Sequence, residues 1–332
     1  MAQGLNAAGA MISQSADSAG EEDGSDIVFI CGALRSGTTL LRIMVNHHPL
    51  LSNPGEMDFL FEPPHEKNGA PDLERYLREI SFNRVFNKIG FRTRPELGHR
   101  GMIRDMVSQL RRPGLTLSIN IHRNFSRIPD FFPEARYVHL LRDPRDVARS
   151  AIGMGWAGNV YHGVDHWTQS ERDFERLAAE VPADRILEMK NEALIADPVG
   201  ELTRLCAFFG VGYDPAMLSY PATTTYASPD PALIQQWRRQ LTPREVGLVE
   251  GKIGRMLADR GYEPSGEPVL RPGLAGRLAL AASHRWNRWR LMAKRQGALL
   301  LLADMIARRL PPSRFTDFTR RLRSERAAKY LQ

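Results

Sequence analysis

The chain has 332 residues, 42% of them hydrophobic and 25% charged, enough for a sizeable core and unlike an intrinsically disordered protein. Its net charge of +7 is unevenly spread: residues 271–332 hold thirteen Arg and two Lys against three acids, a net of +12, which leaves −5 on the first 270. A mildly acidic body with a basic tail excludes a protein that coats nucleic acid with its whole surface, and no nucleic-acid partner is expected.

Residues 1–25 are rich in Ala, Gly, Ser and acids and lack the basic start and apolar core of a signal peptide, so a disordered leader is expected there. Residues 26–268 read as one domain and 269–332 as a basic, amphipathic helical extension. Within the first, Ile27-Val28-Phe29-Ile30-Cys31 is a short apolar run rich in β-branched residues, the pattern of a buried parallel strand. It leads into Gly32-Ala33-Leu34-Arg35-Ser36-Gly37-Thr38-Thr39 and then into Leu40, Leu41, Ile43, Met44 and Val45, spaced as a largely buried helix. Strand, glycine loop and helix form a phosphate cradle, because successive backbone N–H groups and the helix dipole face the same anion. A glycine turn that merely joins strand to helix is the bland alternative.

From Pro71 to Leu110 apolar residues recur at roughly helical spacing (Leu73, Tyr76, Leu77, Ile80; Ile103, Met106, Val107, Leu110), which predicts helices over a sheet. Leu115 to Ile121 and Arg136 to Leu141 read as strands. The second runs into Arg142-Asp143-Pro144-Arg145-Asp146, where Asp before Pro signals a helix start. A further strand is expected at Arg185–Met189 and a helix at Pro198–Phe209, stopped by Gly210. Alternating strands and helices predict a three-layer α/β domain with a mainly parallel sheet, and the glycine loop after its first strand makes it resemble P-loop NTPase-like folds.

Cys31 and Cys206 cannot make a disulfide framework and show no metal-ligand spacing, so both read as reduced, buried and structural. The longest apolar run, Ala298 to Ala303, is far short of the ~20 residues of a membrane-spanning helix. The expected location is the cytoplasm, with peripheral contact to the inner face of a membrane as an option.

The end of the glycine loop narrows the chemistry. A nucleotide triphosphatase would carry Gly-Lys-Ser/Thr, whereas here Gly37 precedes Thr38 and Thr39 and the basic group is Arg35. Arg-Ser-Gly-Thr-Thr-Leu-Leu at 35–41 resembles the 5′-phosphosulfate loop of sulfotransferases that use 3′-phosphoadenylyl sulfate (PAPS). Tyr137 to Ser150 is similar to that family's 3′-phosphate-binding strand and helix, with Arg142 and Ser150 matching the pair that holds the 3′-phosphate. Ile186 to Leu194 resembles a Tyr-Glu-Asp-Leu-like strand end, and Trp237-Arg238-Arg239-Gln240-Leu241 a tryptophan-led stretch near the family's C-terminal end. The motif style is closest to bacterial and tyrosylprotein-type members. The likeness runs from Asp26 to Tyr262 and leaves the basic tail uncovered.

The resemblance implies a fold, a donor and a set of roles. PAPS would be the donor and adenosine 3′,5′-bisphosphate (PAP) the product, with no metal required. Arg35, Ser36, Gly37, Thr38 and Thr39 would face the leaving phosphate; Arg142 and Ser150 would hold the 3′-phosphate. An Arg fork at a strand end with a hydroxyl one or two turns beyond suits a terminal phosphate on physical grounds alone. The bland reading of Arg142 is a surface ion pair with Asp146, and Arg149 reads as a solvated helix residue. Glu56, in Pro54-Gly55-Glu56, falls where related sulfotransferases resemble one another in a Gly-Glu and is the first choice of general base. Asp58 is a weaker alternative, and an ordinary surface glutamate the plain one.

Histidine is the base in another branch of the family. His47 and His48 precede Pro49 at a helix end, where capping explains them, and His139 lies inside a strand; only His122 is retained as a candidate. Asn120-Ile121-His122 stands where relatives carry a Lys-Thr-Pro-like stretch, so the usual active-site lysine is unaccounted for. The favoured function is transfer of the PAPS sulfuryl group to an acceptor hydroxyl of a small molecule, carbohydrate or glycolipid. A P-loop kinase and a non-catalytic nucleotide-binding membrane adaptor are the alternatives. The tail, 271–332, has three readings: contact with an anionic membrane, packing or homo-oligomerisation, and recruitment of an acidic acceptor.

Overall fold

The computed structural model describes residues 23–67, 69–307, 318, 319 and 322. Most of the expected leader and most of the tail beyond 307 lie outside them; the described chain begins at Asp23, whose carbonyl accepts a hydrogen bond from the Glu134 amide.

Five strands, β1 (Ile27–Cys31), β2 (Leu51–Ser52), β3 (Thr116–Ile121), β4 (Arg136–Leu141) and β5 (Ile186–Lys190), pair in the order β2-β3-β1-β4-β5, all parallel. Every residue of β1 is buried, and its side chains alternate between two cores. Ile27, Phe29 and Cys31 pack with Phe61, Phe132 and Tyr137 beneath helices α2 (Gly98–Ser108) and α4 (Asp165–Glu180). Val28 and Ile30 pack with Leu41, Met44, Val138 and Leu140 beneath α1 (Thr38–Asn46) and α5 (Pro198–Phe209). This is the three-layer α/β arrangement that the run of β-branched residues predicts: a strand covered on both faces must be apolar on both.

Two further helices, α3 (Pro144–Met154) and α6 (Pro243–Ile253), enclose a third core with Ala33, Val147, Ala148, Trp167 and Val249 near the loop that follows β1. Beyond them α7 (Leu274–Gln296) and α8 (Ala298–Ala307) form the helical C-terminal region. The strand registers place Cys31 beside Ile121 on one side and His139 on the other. The chain leaves β1 toward β2 and β3, then crosses to β4 and β5. The carboxyl end of β1 is therefore the topological switch point, where open α/β sheets bind ligands.

Candidate active site

The loop after β1 is shaped by two glycines. A Cβ on Gly32 would stand 2.7 Å from the Leu140 carbonyl oxygen; one on Gly37, whose φ is +93°, would strike Asn191 Oδ1. Arg35 also adopts a left-handed conformation, φ 76°, unusual for a residue with a Cβ. Gly37 caps α1 and brings no side-chain acceptor to the helix start, so the first-turn N–H groups, which have no intrahelical partner, are left without a side-chain cap. Ser36 Oγ is buried there with no hydrogen-bond partner among the described residues.

Arg35, Arg142 and Ser150 come together from three elements. Arg35 Nε donates to Ser150 Oγ at 2.9 Å, and Arg142 Nη1 donates to the Arg35 carbonyl at 3.0 Å. Burial lowers the Arg35 pKa, and the nearby Arg142 cation lowers it further, against weaker opposition from Tyr226 and Glu56. Arg142 Nε is buried with no hydrogen-bond partner among the described residues. Two guanidinium groups held close, one of them with a donor left over, make a ready anion site. The surface pair of Arg142 with Asp146 does not form as a hydrogen bond. Asp146 instead accepts the Trp237 amide at 2.7 Å, and burial pushes its carboxyl up to about 6. Arg149 is half-buried and reaches Gln236 Oε1 at 3.4 Å, so it is not the solvated residue the sequence implied.

The Pro54-Gly55-Glu56-Met57 segment is stitched to the end of β3. The Asn120 amide donates to the Gly55 carbonyl at 3.1 Å and the Met57 amide to the Asn120 carbonyl at 2.9 Å, making Glu56 a bridge partner of Asn120. Asn53 Nδ2 donates to Asn120 Oδ1 at 2.9 Å, and Asn120 Nδ2 donates to the Thr38 carbonyl at 3.0 Å. These bonds hold Glu56 beside the loop, half-buried, where its charge is felt by both Arg35 and His122.

His122 is buried directly after β3. Its Nε2 lies 3.1 Å from Thr38 Oγ1 and its Nδ1 3.1 Å from Asp58 Oδ2, while its amide donates to Asp58 Oδ1 at 2.6 Å. Burial disfavours the imidazolium, but the Asp58 carboxylate outweighs it and raises the His122 pKa; Asp58 in turn is lowered, because His122 overcomes its own burial. The line Asp58, His122, Thr38 was not read from the sequence, in which the three residues carry no shared spacing. His139 is indeed packed, stacked 3.6 Å from Phe174 and bonded to Glu171. His47 and His48 sit at the end of α1, the former with Nδ1 2.8 Å from the Ile43 carbonyl. Cys31 and Cys206 are free and buried.

Sequence reasoning also missed Asn191, which closes over Gly37, and a buried ionic cluster behind the site. Arg145 there donates to both oxygens of Asp143, at 2.9 and 2.7 Å, and to Glu250 at 2.7 Å, with its guanidinium 3.8 Å over the Trp237 ring. Among the described residues no group of three His, Cys, Asp or Glu side chains is arranged to hold a metal ion.

An uncapped helix start, paired arginines and the Glu56 carboxylate stand together at the switch point of a parallel sheet, an arrangement suited to an anion. The sulfotransferase family profile matches residues 27–215, more than half of the chain, and the chain belongs to that family. It is 30% identical over 166 residues to ω-hydroxy-β-dihydromenaquinone-9 sulfotransferase Stf3 of Mycobacterium bovis and of Mycobacterium tuberculosis. That match covers 44% of this chain and 41% of those relatives. Two solved structures share the fold. The sulfotransferase domain of the Synechococcus PCC 7002 olefin synthase has a TM-score of 0.50 and 24% identity, covering 68% of this chain and 93% of that one. The sulfotransferase domain of the curacin biosynthetic pathway has a TM-score of 0.52 and 19% identity, covering 71% and 98%.

Proposed function

We propose that the chain transfers the sulfuryl group of PAPS to the hydroxyl of a small-molecule, carbohydrate or lipid-linked acceptor. The observation that carries this reading is the Arg35, Ser150 and Arg142 cluster beside an uncapped helix start: two cations and a hydroxyl converge on a space that calls for an anion. PAPS carries two such anions, a 3′-phosphate for Arg142 and Ser150 and a 5′-phosphosulfate for the loop amides, Ser36, Thr38 and Thr39.

In the reaction the acceptor oxygen bonds to sulfur as the sulfur–phosphate oxygen bond breaks, giving a sulfate ester, PAP and one proton. Glu56 takes that proton. Arg35 and the α1 N–H groups neutralise the charge that grows on the leaving phosphate, the term that dominates transfers of this kind. Asp58 raises the His122 pKa and the ring reaches Thr38, which makes His122 a second polar group beside the loop, where the family's usual lysine is missing. The named substrate of the mycobacterial relatives, a hydroxylated menaquinone, supports a lipid-linked hydroxyl as the first acceptor class to try. Incubation with sulfur-labelled PAPS and a panel of hydroxylated acceptors tests the proposal; label transfer without added metal is the expected result. Tight binding of ATP with Mg²⁺ and weak binding of PAP would replace it with a kinase.

A further inference from the structure

Helix α7 meets the body through Leu291 and Met292, which lie against Gly155, and through polar groups. Asn159 Nδ2 donates to Ser283 Oγ at 2.9 Å, the Gly158 amide donates to His284 Nδ1 at 3.1 Å, and Asn287 Nδ2 donates to the Gly158 carbonyl at 2.9 Å. Arg295 donates to the carbonyls of Gly153 and Met154 at the end of α3, the helix that carries Ser150. The opposite side carries Leu274, Leu278, Trp286 and Trp289, offsets of 4, 8 and 3 that align on one helical stripe. All four are exposed, Leu274 by 74% and Trp286 by 61%, and the two indole rings stack 5.6 Å apart in solvent. Helix α8 repeats the theme, with Leu299, Leu302 and Ile306 exposed on one side.

The charge around this face selects its occupant. Helices α7 and α8, residues 274–307, hold six Lys and Arg and one acid, the buried Asp304. Two copies meeting through it would set cation against cation, whereas an anionic lipid surface satisfies both the arginines and the apolar stripe. Paired tryptophans, with apolar rings and a polar N–H, suit the boundary between headgroups and acyl chains. Among the described residues no helix is long and apolar enough to cross a membrane, which leaves in-plane binding. We propose that α7 and α8 dock the protein onto a bilayer containing anionic phospholipid, with α7 lying in the interface. The attachment of Arg295 to the end of α3 then couples the docked helix to the element that holds the anion site. The inference does not depend on the sulfuryl donor or acceptor.

Flotation of the full chain with vesicles tests it. Binding is expected to phosphatidylcholine vesicles containing phosphatidylglycerol, with a blue shift of tryptophan emission, and to fall with salt. Pure phosphatidylcholine should capture little. W286S/W289S should lose roughly tenfold in vesicle affinity with unchanged circular dichroism, and R285Q/R288Q, which leaves the apolar stripe intact, should do the same. The second variant decides the matter if the first fails to fold. Equal binding to both vesicle types, or no loss in either variant, overturns the proposal. So does light scattering that shows a dimer which W286S/W289S converts to a monomer, since a second copy would then be the occupant.

Discussion

Arg35 Nε and Ser150 Oγ meet at 2.9 Å although 115 positions separate them in the chain. The bond joins the phosphate loop after β1 to the helix after β4, and Arg142 closes the triangle by donating to the Arg35 carbonyl. The loop that carries Arg35 and the helix that carries Ser150 are thereby fixed against each other across the sheet.

Arg142→Gln should weaken PAP by roughly 10–100-fold, the loss of charge-assisted hydrogen bonds worth about 1.5–3 kcal/mol. Adenosine 5′-phosphate, which lacks the 3′-phosphate, should lose much less. Calorimetry without magnesium measures both. Equal losses would mean that Arg142 only holds the loop through the Arg35 carbonyl.

Glu56→Gln should leave PAP affinity unchanged and lower turnover by about 10²–10⁴-fold, the usual worth of a general base. Once an acceptor is in hand, steady-state rates against PAP binding separate the two effects. A variant with full activity would remove Glu56 from the mechanism and move attention to His122.

The Asp58–His122 pair predicts a pH window of stability. His122 is raised, so its contribution is complete below the unfolded histidine value of about 6.5 and is lost as pH rises through the folded value. Asp58 is lowered, so its contribution is present above about 3.9 and is lost as pH falls through its folded value. The stability gap between the native chain and Asp58→Asn should be widest from about pH 4 to 6.5 and narrow on either side. Urea unfolding across pH reads it; a flat difference would show that the pair stays neutral.

Arg145→Met should destabilise the fold by about 3–5 kcal/mol, because it leaves Asp143 and Glu250 buried without their cation. Adding Glu250→Gln should recover part of the loss. Denaturant midpoints measure both, and a cost confined to a few tenths of a kcal/mol would show that the cluster is solvated.

The strands were legible because each is a local pattern. Ile27–Cys31 and Arg136–Leu141 match the expected runs, while the strands at 116–121 and 186–190 start one residue later than their apolar patterns suggest. β2 escaped because two residues leave no period to read, and α4 because Trp167, Phe174 and Leu177 are scattered among charged residues. The C-terminal helices were visible as a basic, apolar rhythm, but nothing in that rhythm says which side faces the body. The hydrogen bonds of Ser283, His284 and Asn287 decide it.

The sequence by itself marked the phosphate loop, since glycine spacing between a strand and a helix is a local property of the backbone, and the family resemblance pointed to Arg35, Glu56, Arg142 and Ser150. Only the tertiary structure decided what those residues face. Parallel strands are neighbours through long crossovers, so whether His122 reaches Thr38, or Arg35 reaches Ser150, depends on the register of β1 against β3 and β4. Hydrogen bonds need distances set to a few tenths of an ångström, and that precision comes from the packed sheet.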